Sequence, residues 1–208
     1  HYAKRIPSIS FAFGLFVDGV MKGLVTYGTP VASTLRDGIA GKQHAGIVLE
    51  LNRLVFIESV KNHASMLVGR SLKLLPNPSI VVSFADTEQH HIGYVYQACN
   101  FIYTGLSAKR TDWKVRGLEH LHGATIADQS RGQPNRAEWM REKHGDNFYL
   151  QDRPRKHRYI YIAAKGKVRR VLQADLLYSA EPYPKGDSDR YAIDYKPSYQ
   201  PVLFGAAA

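Results

Sequence analysis

Cysteine is scarce in this 208-residue chain, and Cys99 is its only thiol. One cysteine excludes an internal disulfide and a paired-cysteine zinc knuckle, and it favours a reducing, cytoplasmic setting. No run of about eighteen apolar residues occurs, so we expect no membrane partner. The chain also lacks the G-x-G-x-x-G and Walker loops of nucleotide-binding proteins and the G-x-S-x-G elbow of serine hydrolases.

The composition is that of a globular protein. Hydrophobic residues make up 44% and charged residues 22% of the sequence, and the length suits one large domain with a core of its own. We therefore expect a single domain over residues 1–208, without a linker that divides it. The chain starts at His1 rather than methionine and ends in three alanines, which indicates a fragment that lacks an N-terminal segment.

The net charge of +10 is concentrated in one part of the chain. Residues 109–170 contain 16 Lys or Arg against 7 Asp or Glu, a balance of +9, so the rest of the chain is close to neutral. Such a segment favours a polyanionic partner such as nucleic acid. A solubilising basic surface is the alternative interpretation.

The hydrophobic pattern predicts a mixed α/β (α+β) fold. Strand-like stretches at 8–17 and 21–27, separated by Asp18-Gly19, predict a β-hairpin. Later segments with strand or helix character are a long strand at 46–57, a helix at 64–75, a buried strand at 79–85, a helix at 93–101, a helix at 135–143, a strand at 158–163, and a loop or edge strand at 176–184. The strand–helix–strand order predicts that 46–57 and 79–85 pair in parallel and splay at their ends. Residues 109–157 are interpreted as a basic insertion.

Several polar residues stand in apolar surroundings. Arg53 lies within a strand that should be largely buried, where a guanidinium needs a carboxylate or a bound anion beside it. Asp86 ends the buried strand, at the edge where open α/β sheets place ligands. Tyr96 could donate a proton to a leaving group, and Ser65 could cap a helix or contact substrate. The structural alternative is an Arg53–Asp86 ion pair, a core tyrosine and a helix cap.

Cations alternate with aromatic rings at both ends of the basic insertion. Cations bind phosphates, and rings stack on exposed bases. The residues that we expect to contact DNA are Lys109, Arg110, Trp113, Arg153, Arg155, Lys156 and Arg158. A solvated basic face is again the alternative.

Two histidine pairs carry weaker signals for a metal. His90-His91 and His120-x-His122 have ligand-type side chains, but neither pair comes with an obvious third ligand. Surface histidines on a basic segment are the alternative, so the sequence leaves the presence of a metal unknown.

Long and unusual strings of this sequence resemble the Mom family of phage DNA-modification proteins. The strings that carry the resemblance are His1-Tyr2, LELNRLVF, KNHAS, SFADTEQHHIGYVYQACNFIYTG, SAKRTDW and RPRKHRY. The resemblance implies a GNAT-like acyltransferase domain that converts adenine in duplex DNA to N6-carbamoylmethyladenine and shields phage DNA from restriction in a bacterial host. By motif, the functional residues that it implies are His1, Tyr2, Arg53, Ser65, Asp86 and Tyr96.

The acyl donor stays open at this stage. GNAT enzymes have a glycine-rich pyrophosphate loop after the central strand, whereas residues 58–64 of this chain contain no glycine. This departure counts against acetyl-CoA and leaves glycyl-tRNA, an activated glycyl ester and a second polyanion, as the other donor. An ordinary coenzyme A-dependent N-acetyltransferase and a non-enzymatic nucleic-acid-binding protein are the competing functions.

Overall fold

A mixed six-stranded sheet forms the centre of the computed structural model, which describes residues 8–186 of the chain. The spatial order is β1-β2-β3-β4-β8-β5. The strands are β1 (Phe11–Val17), β2 (Val20–Gly28), β3 (Val48–Phe56), β4 (Ser79–Asp86), β5 (Ile102–Leu106) and β8 (Lys156–Ala163). Only the β3–β4 pair of this sheet is parallel. The predicted mixed sheet is thus confirmed.

The predicted hairpin is formed by β1 and β2, which are antiparallel. Asp18 and Gly19 turn the chain with φ values of 50° and 77°. Two consecutive left-handed residues match the right-handed twist of the flanking strands, which is why Asp-Gly favours this turn.

The central unit is the predicted strand–helix–strand crossover. Helix α2 (His63–Ser71) connects β3 to β4. The parallel register covers only Val48 to Glu50 against Ile80 to Val82, although β3 continues to Phe56 and β4 to Asp86. Beyond this point the two strands separate, with Ser83 Oγ donating to the Leu51 carbonyl at 3.1 Å. The predicted splay therefore begins in the middle of β3.

Different helices cover the two faces of the sheet. Val81, Ala85 and Tyr159 pack on one face in a cluster with residues of α2, and α3 (Tyr94–Ala98) packs against it. We call this the α2 face. Ile80 and Val82 point the other way, into a cluster with α1 (Ser33–Ala40) and α6 (Gly166–Ala174), which we call the α6 face. Strand alternation thus assigns every side chain of β3, β4 and β8 to one of two environments.

The basic insertion forms a small unit beside the sheet. Strands β6 (Arg110–Val115) and β7 (Phe148–Arg153) pair antiparallel, and α4 (Gly123–Asp128) and α5 (Arg136–His144) lie between them in sequence. Its core consists of Val115, Ile126 and Met140. We call residues 110–153 the basic subdomain. Of its elements, the sequence pattern predicted only α5.

Three other elements were not predicted, namely α1, β5 and α6. The predicted helix at 93–101 is shorter than expected. Only α3 is helical there, and the residues after it lead into β5. Residues 176–184 form neither helix nor strand; the Glu181 amide donates to the Tyr103 carbonyl at 2.9 Å. The interpretation of this segment as a loop is confirmed.

Candidate functional site

Asp86 lies at the end of β4, nearly buried, at the edge of the sheet where the parallel strands have separated. Because Ala85 packs on the α2 face, alternation points Asp86 toward the α6 face. Its Oδ2 lies 3.1 Å from Lys156 Nζ, and its Oδ1 accepts from the Glu88 amide at 3.1 Å. The carboxylate is therefore held by one cation and one backbone donor.

Glu50 is a second acidic group on the same face. It lies between Leu49 and Leu51, which both pack on the α2 face, so its own side chain points to the α6 face. Burial raises the pKa of Glu50, while the charges of Lys156 and Arg53 act in the opposite direction. Lys156 thus stands within electrostatic reach of two carboxyl groups, those of Asp86 and Glu50.

A bulge in β3 brings Arg53 to this face as well. Tyr27 pairs with Leu51 and Thr26 pairs with Arg53, so Asn52 is an extra residue in the ladder. Without it, strict alternation would place Arg53 on the same face as Leu51. Asn52 is fixed by Thr26 Oγ1, which donates to its Oδ1 at 2.6 Å.

The ion pair of Asp86 is formed with Lys156, so the Arg53–Asp86 pairing weighed from the sequence is wrong. One contact of Arg53 is the hydrogen bond that its Nη1 donates to the Asn52 carbonyl at 2.7 Å. Lys156 is the better placed cation because β4 and β8 are adjacent and Asp86 is directly opposite Lys156 in their register.

Tyr96 is half-buried on α3, on the α2 face. Its ring packs 5.4 Å from the Phe101 ring and 5.3 Å from the Tyr159 ring, measured between centroids. Gly93 begins this helix with φ of 79°, and a Cβ at that position would collide with the Tyr159 ring. Asp86 and Tyr96 therefore lie on opposite faces of the sheet.

Ser65 lies in the first turn of α2, where its hydroxyl donates to the Asn62 carbonyl at 3.1 Å. Its own carbonyl accepts from the Cys99 thiol at 3.3 Å. These contacts join α2 to α3. The helix-cap role weighed from the sequence is wrong, because the N-cap of α2 is Asn62 and no side chain makes a cap hydrogen bond there. His1 and Tyr2 fall outside the described residues.

The seven residues that we expected at DNA differ in their surroundings. Lys109 and Arg110 are exposed. Arg153 is also exposed, but it pairs with Asp112 at 2.7 Å. Arg155 is half-buried and donates to the carbonyls of Leu106 and Ser107.

Arg158 does not fit a phosphate contact. Its side chain is buried on the α6 face, where Nε and Nη2 donate to Thr104 Oγ1 and the Thr104 carbonyl at 2.9 and 2.7 Å. Its guanidinium lies 3.4 Å from the centroid of the Tyr178 ring. The sequence prediction took a basic run as a continuous surface, whereas strand alternation turns Arg158 inward.

The basic subdomain leaves the sheet at the edge that carries Asp86. Three residues separate β5 from β6, and two residues separate β7 from β8. Lys156, the first residue of β8, pairs with Asp86. A polyanion bound along the exposed side of the subdomain would thus reach the sheet next to this carboxylate.

Comparison with known proteins identifies the family of this chain. The family model described as the Mom protein family matches residues 1–185. The chain belongs to the Mom family. It is also 27% identical over 194 residues to the methylcarbamoylase Mom of Escherichia phage Mu, a match that covers 89% of this chain and 76% of that protein.

In this Mom-family chain, Glu50 is the site residue that sequence reasoning missed. Its signal was present, since an acidic side chain between two leucines of a buried strand needs a cation or a proton. What the sequence could not show was that Lys156, more than one hundred positions later, supplies the cation.

Neither histidine pair belongs to a metal cluster within residues 8–186. No group of three His, Cys, Asp or Glu side chains with the geometry to hold a metal occurs there. His122 instead caps α4, its Nδ1 accepting from the Ala124 amide at 3.1 Å. In the same part of the chain, no helix has both the length and the apolar character needed to cross a membrane.

Proposed function

We propose that this chain is a transferase that converts adenine in duplex DNA to N6-carbamoylmethyladenine, with the reaction at the opening between β3 and β4. The observation that carries the proposal is the position of Asp86. It ends the parallel strand, is held by Lys156, and lies at the edge from which the basic subdomain leaves. The name of the phage Mu relative, a methylcarbamoylase, supports this class of reaction.

DNA binds to the basic subdomain in this proposal. Lys109 and Arg110 are exposed at its junction with the sheet and contact phosphates. The target base has to leave the helical stack before its N6 reaches a buried carboxylate, and unstacking costs a few kcal/mol.

The chemistry needs a positioned base because an adenine amine is a poor nucleophile. Its lone pair is delocalised into the ring, so attack requires that a proton leave N6 as the new bond forms. Asp86 accepts this proton or orients the amine, and Lys156 compensates the carboxylate charge. General acid–base catalysis of this kind contributes about 10²–10⁴-fold.

The donor approaches from the α2 face. Tyr96 lies on that face and protonates the leaving group, while Asp86 acts from the α6 face. The reacting groups meet at the carboxyl end of β4 in this proposal, beyond Glu50 and Val82, where the pairing of β3 with β4 has ended. Arg53, brought to the α6 face by the Asn52 bulge, binds an anionic group of the donor or acceptor.

A glycyl ester is the donor that gives the correct product atoms. Attack of N6 on the ester carbonyl forms an N6-glycyl amide and releases the ester hydroxyl. The free glycyl amine then attacks C6 through a five-membered ring and displaces the original N6, which becomes the carboxamide nitrogen. The product carries N–CH2–CO–NH2 on C6. Acetyl transfer from acetyl-CoA would lack this second nitrogen.

The segment between β3 and α2 also favours glycyl-tRNA over acetyl-CoA. It contains no glycine that would let backbone amides approach a pyrophosphate. A tRNA would be held by basic side chains instead.

The test is a reconstitution with purified protein, duplex DNA and isotopically labelled donors. Glycine is supplied on tRNA or free, and acetyl-CoA is supplied in parallel, with Asp86→Asn as the inactive control. We expect label in modified deoxyadenosine only from charged tRNA. Label from acetyl-CoA alone would refute the glycyl donor. Acetylation of protein or small amines, or DNA binding without any modified base, would refute the proposed function.

A further inference from the structure

The basic subdomain contains a concave site of its own, about 310 Å³ in volume, between β6 and α4. This volume is at the lower end of the range for small-molecule pockets, so it suits one nucleotide unit rather than a helix groove. The residues that give it its chemistry are Asp112, Trp113, Ala124, Ala127, Arg136 and Arg153.

One wall is formed by Arg136, an exposed residue whose guanidinium covers the Trp113 ring, so a flat ring that enters the site stacks on the guanidinium plane. Trp113 is half-buried, with Phe148 against it edge-on, and the guanidinium carbon of Arg136 lies 5.6 Å from its ring centroid. Ala124 and Ala127 line the site with small side chains that leave this space open. Indole rings and guanidinium planes are the groups on which proteins stack unpaired bases.

The other wall combines an acceptor with a donor. Arg153 Nη2 and Nε donate to the two carboxylate oxygens of Asp112 at 2.7 and 3.3 Å. Each of those oxygens keeps a further lone pair for a second donor. A phosphate has no donor for the Asp112 oxygens, whereas the edge of a nucleobase offers both N–H donors and acceptors. The site therefore has the chemistry of a base pocket.

We propose that this cavity binds one unstacked base of the DNA, a few nucleotides from the modified adenine. The inference rests on the proposed function and adds a second point of contact to it. Arg153 precedes Lys156, the partner of Asp86, by three residues, which extended chain spans in at most about 11 Å. Bases follow one another at about 3.4 Å along one strand. The base held here thus lies within a few nucleotides of the target.

The experiment presents an extrahelical base to the subdomain directly. Trp139→Phe leaves Trp113 as the only tryptophan of the chain. In this background, Trp113 emission and DNA affinity are measured with a duplex that carries one bulged thymine and with the same duplex carrying an abasic bulge. We expect the bulged thymine to quench Trp113 and to bind about tenfold more tightly, as base–aromatic stacking implies.

A matched pair of variants locates the effect. Ala124→Leu fills the cavity without changing charge, and Thr125→Leu places the same side chain on the neighbouring exposed position, which does not line the cavity. We expect Ala124→Leu to lose both quenching and discrimination, and Thr125→Leu to keep them. Equal affinity for the two bulges, or discrimination that survives in Ala124→Leu, would overturn the inference while leaving the proposed function intact. Failure to bind any of these duplexes would overturn both.

Discussion

Replacing Arg158 by Met tests whether a buried cation of the basic segment stabilises the fold rather than binding phosphate. Arg158 is 9% exposed, and its guanidinium stacks on Tyr178 while donating twice to Thr104. Methionine keeps the apolar stem but removes the ring stacking and both hydrogen bonds. We expect Arg158→Met to destabilise the fold and to leave phosphate binding unchanged.

The size of the destabilisation follows from the interactions that the guanidinium makes. Hydrogen bonds from a charged donor contribute about 1.5–3 kcal/mol each, and a desolvated cation–π contact about 2 kcal/mol. Relief of the desolvation that lowers the pKa of Arg158 offsets part of this sum. A net loss of about 3 kcal/mol is the result, since the Met variant buries no charge and leaves only the neutral Thr104 acceptors without their donor. For a domain of this size, that lowers Tm by about 6–12 °C.

The matched control is Arg110→Met, at an exposed position of β6. Thermal unfolding and the salt dependence of duplex affinity are measured for both variants. Arg110→Met should keep Tm within about a degree or two, as surface substitutions do, and reduce the salt slope by about 1. Arg158→Met should lower Tm and leave the salt slope unchanged. If Arg158→Met unfolds like wild type and lowers the salt slope, the reasoning from strand alternation is refuted.

Three other perturbations test the remaining parts of the site. Asp86→Asn and Tyr96→Phe should each lower the modification rate by about 10²–10⁴-fold with unchanged DNA affinity; near-normal rates in both would remove them from the reaction. Glu50→Gln should be more stable than wild type near pH 7, because burial raises the pKa of Glu50 and favours its protonated form in the fold. This difference in the free energy of unfolding should disappear below about pH 4, where Glu50 is protonated in both the folded and the unfolded protein. Urea unfolding near pH 7 and below pH 4 measures it. A difference that does not change with pH would contradict burial of Glu50 as its cause. Reversing the charge of Lys109 and Arg110 together should weaken duplex binding and lower the salt slope by about 2, and unchanged affinity would show that DNA binds elsewhere.

The central strands were predictable because their signals are local. An Asp-Gly turn between two apolar stretches specifies a hairpin, and an unbroken apolar run such as 79–85 specifies a strand buried on both faces. The helical spacing at 64–75 then fixes the crossover and hence the parallel pair.

The missed elements have weak local signals. Strands β6 and β7 are short and charged, since one face of this two-stranded sheet is exposed. Helix α6 starts at Gly166 without a capping side chain, and Leu172 is its one buried residue. Such segments owe their structure to packing on the rest of the protein rather than to their own pattern.

The site was predictable where position along a strand decides function, and not where distant segments meet. Asp86 follows from its place at the end of a buried strand. The bulge at Asn52, which sets the direction of Arg53, depends on the pairing of β2 with β3. The Arg158–Tyr178 contact joins residues twenty positions apart that no periodic pattern relates.

The most direct test is mass spectrometry of nucleosides from the DNA of cells that express this chain, beside cells that express Asp86→Asn. We expect a fraction of deoxyadenosine heavier by the mass of one carbamoylmethyl group in the first sample and none in the second. Unmodified deoxyadenosine in both samples, with the protein folded and bound to DNA, would contradict the account.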